Sequence, residues 1–116
     1  MSKKYRATRD DWRVTVVVET SDNEDGYLLS PRWDLRKHAE DFSWGKNNCS
    51  TNQLALAVLS DHLGRQKDAE VLTIYPLFAE QVLSKIPLFQ KQFELDSQSV
   101  QKWLHRVYAE LALDRR

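Results

Sequence analysis

The feature that most constrains this chain is the run RVTVVVE, Arg13 to Glu19. In it Val14, Val16 and Val18 fall on one face, and Arg13, Thr15, Val17 and Glu19 on the other. That two-residue alternation marks a half-buried β-strand. A lone strand leaves its backbone N–H and C=O groups unpaired, so it needs a partner strand and a layer to cover the valine face. After SDNEDG, a run of turn formers ending at Gly26, YLLS resumes before Pro31 with Tyr27 and Leu29 on one side of Leu28. The pair reads as a β-hairpin whose loop is longer than the tightest turns.

Past Pro31 the period changes. PRWDLRKHAEDFSWG sustains neither repeat and reads as an irregular or partly helical connection pinned by Trp33, Leu35, Phe42 and Trp44. A helix is then predicted from Ser50, which forms a capping box with Gln53. Its broad apolar stripe holds Leu54, Val58 and Leu59 with Leu56 and Leu63 flanking, and it ends at Gly64. Val71, Leu72, Tyr75, Phe78, Val82 and Ile86 continue at three- and four-residue spacing. Pro76 interrupts them at a cost of about 3 kcal/mol, which predicts a kink or two shorter helices. Beyond Pro87, KQFEL alternates as a short third strand with Phe93 and Leu95 facing inward. Asp96 or Ser97 caps a last helix striped by Val100, Leu104, Val107, Tyr108 and Leu111. The expected architecture is α+β: a small antiparallel sheet, made of the N-terminal hairpin and a short later strand, packed against about three helices.

Composition narrows the function by exclusion. At 116 residues, 41% hydrophobic and 29% charged, the chain is expected to form one domain over residues 1–116, burying about two-thirds of its unfolded surface. Seventeen basic residues balance seventeen acidic ones, so no global field draws it to nucleic acid or to an anionic membrane. MSKKYRATR lacks the apolar run of a secretory signal, and no apolar segment reaches the roughly 18 residues that span a bilayer. With a single cysteine, Cys49, this predicts a cytoplasmic protein without a membrane role.

Asp34, His38, Asp41 and Cys49 are the only reactive types grouped in a short span. One Cys and one His eleven residues apart match none of the paired spacings of structural zinc, so no metal is expected. Cys49 and His38 could form a nucleophilic pair, since a helix N-terminus lowers a thiol's pKa. The plainer reading makes Cys49 a small loop residue and His38 a backbone partner. His62 and His105 read as rim residues of their helices. Phosphate loops, nucleophile elbows and helical His-Glu metal motifs are absent, and no cofactor is implied. KKYR and PRWDLRK interleave cations with aromatics, as single-strand binders do, which makes Lys3, Lys4, Arg6, Arg9 and Arg32 a candidate nucleic-acid surface. Acidic residues in the same half of the chain dilute it.

Read together, WDLRKHAEDFSWG and NQLALAVLSDHLG resemble an uncharacterised family of small bacterial proteins carried on phages, plasmids and other mobile elements. That pattern runs from Leu and His through Phe, Trp and Gly to a glycine-rich turn, then into a helix reading Gln-Leu-Ala-Leu-Ala. Leu35, His38, Phe42, Trp44, Gly45 and the segment Gln53 to Ala57 match it, as do Asp61 to Gly64, with weaker likeness at Tyr5, Phe78, Pro87, Phe93 and Leu95. Where the family resembled has glycines and a proline, this chain has Asn48, Cys49, Ser50 and Thr51. Asn48 is expected to take the left-handed turn in glycine's place, and Ser50 to cap. The resemblance implies a mobile-element context and supplies no activity and no catalytic residue.

The reading favoured is a non-enzymatic binding protein that docks on a larger protein or nucleoprotein complex, one form being an inhibitor of a restriction or CRISPR-type host defence. Arg32, Trp33, Arg36, Asn47 and Asn48 are its expected anchors. The alternatives are a nucleic-acid-binding regulator and a cysteine-dependent enzyme using Cys49 and His38. A homodimer is suggested by Trp103, which widens the apolar face of the last helix.

Overall fold

The computed structural model describes residues 2–11, 13–21 and 23–114, with backbone alone for 23–25 and 112–114. Four strands form one antiparallel sheet: β1 (Lys3–Asp10), β2 (Arg13–Thr20), β3 (Asn23–Leu28) and β4 (Gln92–Asp96), in the order β3-β2-β1-β4. Two α-helices, α1 (Cys49–Leu63) and α2 (Asp68–Gln81), lie between β3 and β4, and α3 (Ser97–Asp114) follows β4. Single 3₁₀ turns lie at Arg65–Lys67 and Leu83–Lys85. The protein is thus α+β, with a small antiparallel sheet packed on helices.

The strand at Lys3–Asp10 is an addition to what the sequence predicts, where its cations read as a surface. Tyr5 and Ala7 point into the core between exposed Lys4, Arg6 and Thr8, a two-residue alternation carried by only two apolar side chains. β1 pairs with β2 from Lys3↔Thr20 to Asp10↔Arg13, and with β4 from Lys4↔Asp96 to Thr8↔Gln92, so it is an interior strand. Val16 and Val18 are buried as the alternation requires, and Phe93 and Leu95 face inward with Glu94 out. The β2–β3 hairpin is tighter than expected. β3 begins at Asn23 and pairs it with Thr20, so the strands separate for two positions, of which Asp22 lies outside the described residues.

Two features of the helices correct the expectations from sequence. The N-cap of α1 is Asn48 rather than Ser50. Asn48 sits in an extended conformation, φ −129°, and its Oδ1 accepts from Thr51 N at 2.9 Å. Neither half of the Ser50–Gln53 box forms: Ser50 Oγ donates to Asp41 at 2.7 Å, and Gln53 is fully buried with its amide turned elsewhere. Second, α2 runs unbroken through Pro76. Val71, Ile74 and Tyr75 before the proline and Phe78 and Ala79 after it are buried in the same core, while Pro76 itself is exposed on the outer side. Tertiary burial, at about 1.5–3 kcal/mol per large side chain, outweighs the lost bond.

α1 is enclosed nearly all round, every residue from Gln53 to Ser60 being buried. It lies against α2 on one side. On the other, its Asp61 accepts from Tyr5 Oη at 2.8 Å, Lys3 Nζ at 3.0 Å and Tyr27 Oη at 2.6 Å, which ties the helix to β1 and β3. Burial and the neighbouring carboxylate push the Tyr5 hydroxyl far above its ordinary pKa. Burial works against the Lys3 ammonium, yet the hydrogen bond and charge of Asp61 outweigh it and raise its pKa. Trp103 proves to be a core residue, 6% exposed, edge-on to Phe78 and donating from Nε1 to Gln81 at 2.9 Å. It therefore offers no exposed flank on which a dimer could form. Among the described residues no helix is long and apolar enough to cross a membrane.

Candidate functional site

The segment between β3 and α1 has no regular structure across residues 31–42, yet it is fastened at four places. The first is Arg32. Its backbone takes φ +55°, a left-handed value rare outside glycine, and its carbonyl accepts from Leu35 N and Arg36 N. The guanidinium turns inward, leaving the residue 6% exposed. Nε and Nη2 donate to Asp34 at 3.0 and 2.9 Å, and Nη1 and Nη2 donate to Asp68, at the start of α2, at 3.3 and 3.0 Å. Such fork-to-carboxylate pairing matches the fixed donors of arginine. The Arg32 pKa is raised by the hydrogen bonds it donates to Asp34 and Asp68, and the same contact with Arg32 lowers that of Asp34.

Gln53 is the second fastening. Its Oε1 accepts from the backbone N of His38 at 2.7 Å and of Ala39 at 3.2 Å. Its Nε2 donates to the carbonyls of Pro31 at 2.6 Å and Arg36 at 3.1 Å. One buried amide thus substitutes for the ladder that an irregular segment lacks. Third, His38 Nε2 shares a short hydrogen bond with Tyr75 Oη, to which Arg36 Nη1 also donates at 3.4 Å. Burial first, then the Arg36 charge, hold the His38 pKa below its ordinary value. The fourth is the Ser50–Asp41 bond.

Fixed in this way, the segment presents Trp33 outward. The residue is 47% exposed, its Nε1 donates to Ala39 O at 3.0 Å, and Lys37 Nζ lies 5.1 Å from the ring centre. Beside it runs a groove of about 710 Å³ lined, among the described residues, by Arg13, Val14, Pro31, Trp33, Glu40, Asp41 and Phe42. Val14, Pro31, Trp33 and Phe42 make an apolar wall, and Glu40 and Asp41 put two carboxylates beside one guanidinium at the edge. Lys37 pairs with Glu40 at 3.4 Å.

The expected anchors therefore divide. Trp33 lines the groove. Arg32 does not offer its charge to a partner, because two internal carboxylates occupy it. Arg36 is exposed with one arm on Tyr75. Asn47 and Asn48 are exposed, but their side-chain oxygens serve the start of α1, Asn47 Oδ1 accepting from Asn52 at 3.0 Å, and neither lines the groove. The residues missed are Arg13, Val14, Pro31, Glu40, Asp41 and Phe42. Phe42 reads in the sequence as a pin, and the valine alternation that buries Val16 and Val18 leaves Val14 half-exposed at the strand's start.

The cations proposed for nucleic acid are likewise engaged. Lys3 is paired with Asp61, Lys4 with Glu94 at 3.5 Å, and Arg6 with Glu19 and Glu94, both at 3.1 Å. Arg9 stacks 4.0 Å over the ring centre of Trp44 and donates to Leu88 O at 2.6 Å and Ser43 Oγ at 3.2 Å. The outer sheet face alternates sign across strands, which leaves little uncompensated positive potential for phosphates. Cys49 is exposed as the first residue of α1. His38 reaches Tyr75 and Gln53 instead of the thiol, and Asp34 and Asp41 are held by Arg32 and Ser50. His62 bonds Gln101 at 2.8 Å. Among the described residues no three His, Cys, Asp or Glu side chains are placed to hold a metal ion.

Fold and site together define an α+β protein whose one long irregular segment is clamped down to expose a tryptophan beside a groove. The chain belongs to a family of unknown function (DUF6166), whose sequence pattern matches residues 5–106. No curated protein and no solved structure matches it.

Proposed function

We propose that the protein is a non-enzymatic docking module that engages a larger protein or nucleoprotein target through the groove around Trp33. The observation that carries this reading is Trp33 itself, a large aromatic held half-exposed by hydrogen bonds beneath it rather than by burial. Aromatic anchors in pre-shaped surroundings dominate binding energy, and fixing them in advance lowers the entropy lost on association. The resemblance of the central motif to proteins of phages and plasmids supports a concrete form of this docking. In it the protein comes from a mobile element and blocks a restriction or CRISPR-type defence complex.

The test compares the wild type with Trp33→Ala as immobilised baits in lysate of a bacterium carrying such a system. Trp33 lies outside the core, so the variant keeps its fold. One partner recovered in stoichiometric amount by the wild type, and reduced at least about tenfold by the variant, is the expected result. Absence of any stoichiometric partner, or equal capture by both baits, overturns the reading.

A further inference from the structure

The groove beside Trp33 lies where the sheet loses a strand. Leu29 N donates to Val16 O at 2.9 Å, so Val16 turns its backbone N–H and C=O toward β3. Arg9 N donates to Lys91 O at 2.7 Å, so Arg9 turns away from β2, and its pairing with Val14 is one without mutual hydrogen bonds. Both bonds give Val14 the orientation of Val16: its N–H and C=O point out of the edge that a longer β3 would cover. The β2–β3 register, Val18↔Tyr27 and Val17↔Leu28, sets position 31 opposite Val14. That residue is Pro31, which has no N–H to give, and its carbonyl is drawn off to Gln53 Nε2. Among the described residues no other group takes its place, and Val14 N and O have no protein partner on that side.

This free edge opens into the groove, whose lining includes Arg13 and Val14 with Pro31, Trp33 and Phe42. The acidic groups there are already answered: Glu40 pairs with Lys37, Asp41 accepts from Ser50, and Arg13 belongs to the same lining. What remains to recognise an occupant is main-chain hydrogen bonding and apolar contact. We infer that the occupant is an extended peptide segment of the target, added to β2 as an antiparallel strand in line with β3. One of its residues exchanges both main-chain hydrogen bonds with Val14. Directly opposed residues share a face, so the side chain of that residue falls on the Val14 side, toward Trp33, Pro31 and Phe42, while its two neighbours point to the other face. Strand addition of this kind takes affinity from the backbone and specificity from alternate side chains. The open stretch Arg13–Val16 spans about 13 Å at about 3.3 Å per residue, so the added strand is short. A strand here presupposes that the Trp33 groove is the docking site proposed above, and specifies what enters it.

Random linear peptides displayed on filamentous phage and selected on the immobilised full chain test it. Enriched sequences should alternate apolar residues without internal proline, and the synthetic peptide should bind with a Kd that changes less than about twofold between about 0.1 and 0.5 M salt. Amide exchange at Val14 should slow at least about tenfold on binding. N-methylation of the peptide, one residue at a time, should weaken binding about tenfold at the residue bonded to Val14. Val14→Pro removes the outward N–H and leaves the pairing with β1 intact, so it should weaken binding about as much; should that variant fail to fold, the N-methyl series decides. No enriched sequence, apolar residues at helical spacing, a proline-rich consensus, or protection of Glu94 on the outer edge of β4 in place of Val14 overturns the strand. Binding lost in Trp33→Ala but indifferent to N-methylation overturns it too, and leaves the groove as the docking site. Because the peptides need no natural target, the strand and the capture experiment fail separately.

Discussion

Replacing Gln53 probes the clamp beneath the candidate site. Its side chain makes four hydrogen bonds to the backbone of residues 31–39 from a fully buried position. Gln53→Leu keeps the volume roughly constant and removes all four. A buried group left unpaired costs about 1–3 kcal/mol, and the half-exposed setting of Pro31, His38 and Ala39 lets water reach part of the set, so about 3 kcal/mol in total is expected. That is a large share of a stability of about 5–15 kcal/mol, and it should appear in urea denaturation as a lower midpoint with unchanged slope. Gln53→Glu sharpens the test. The new oxygen faces the carbonyls of Pro31 and Arg36, so the buried side chain is favoured as the neutral acid and its folded pKa is raised. A raised acid stabilises at low pH and loses that stability as pH climbs above about 4.3, by up to about 1.4 kcal/mol per pH unit until the folded pKa is passed. Amide exchange at His38 and Ala39 should accelerate in both variants before global unfolding. A cost under about 1 kcal/mol for Gln53→Leu, or a pH-independent deficit for Gln53→Glu, would refute the claim that this amide holds the segment in place.

Three further outcomes follow. Asn48→Ala should destabilise α1 by about 1 kcal/mol in thermal or urea unfolding, and Ser50→Ala by clearly less; the reverse order would restore Ser50 as the cap. Arg32→Met should cost about 1–3 kcal/mol, below the cost of breaking a fully buried pair because Asp34 and Asp68 retain 55% and 30% side-chain exposure; a neutral result would show the ion pairs to be incidental. The folded pKa of His38 lies below 6.5, so its contribution is fully present above pH 6.5 and declines as pH falls from there through the folded value. His38→Gln should flatten that limb of the melting-temperature profile, and an unchanged limb would place its origin elsewhere.

How far the chain can be read from its residues depends on how much apolar signal each element carries. β2 and the stripe of α3 announce themselves because valines and leucines recur at their own periods. β1 does not, since Tyr5 and Ala7 are its only inward apolar residues and its charges invite a surface reading. At the start of α1, Asn48 and Ser50 are both good caps, and the choice is decided by Gln53. That side chain looks like the far half of a capping box, yet is drawn into the core by carbonyls 17 and 22 residues away. Trp33 is legible as an exposed aromatic. Its neighbour Arg32 is not, because its carboxylate on α2 lies 36 residues further on and short-range pattern says nothing of it.

The position of β1 also shapes how the protein is made. It is synthesised well before β4, and one of its two hydrogen-bonding edges is matched only by β4, near residue 94. At about 5–20 residues per second, the nascent hairpin waits several seconds with that edge bare. During that interval it is a template for any passing strand, and a cell making this protein quickly would need chaperones to shield it.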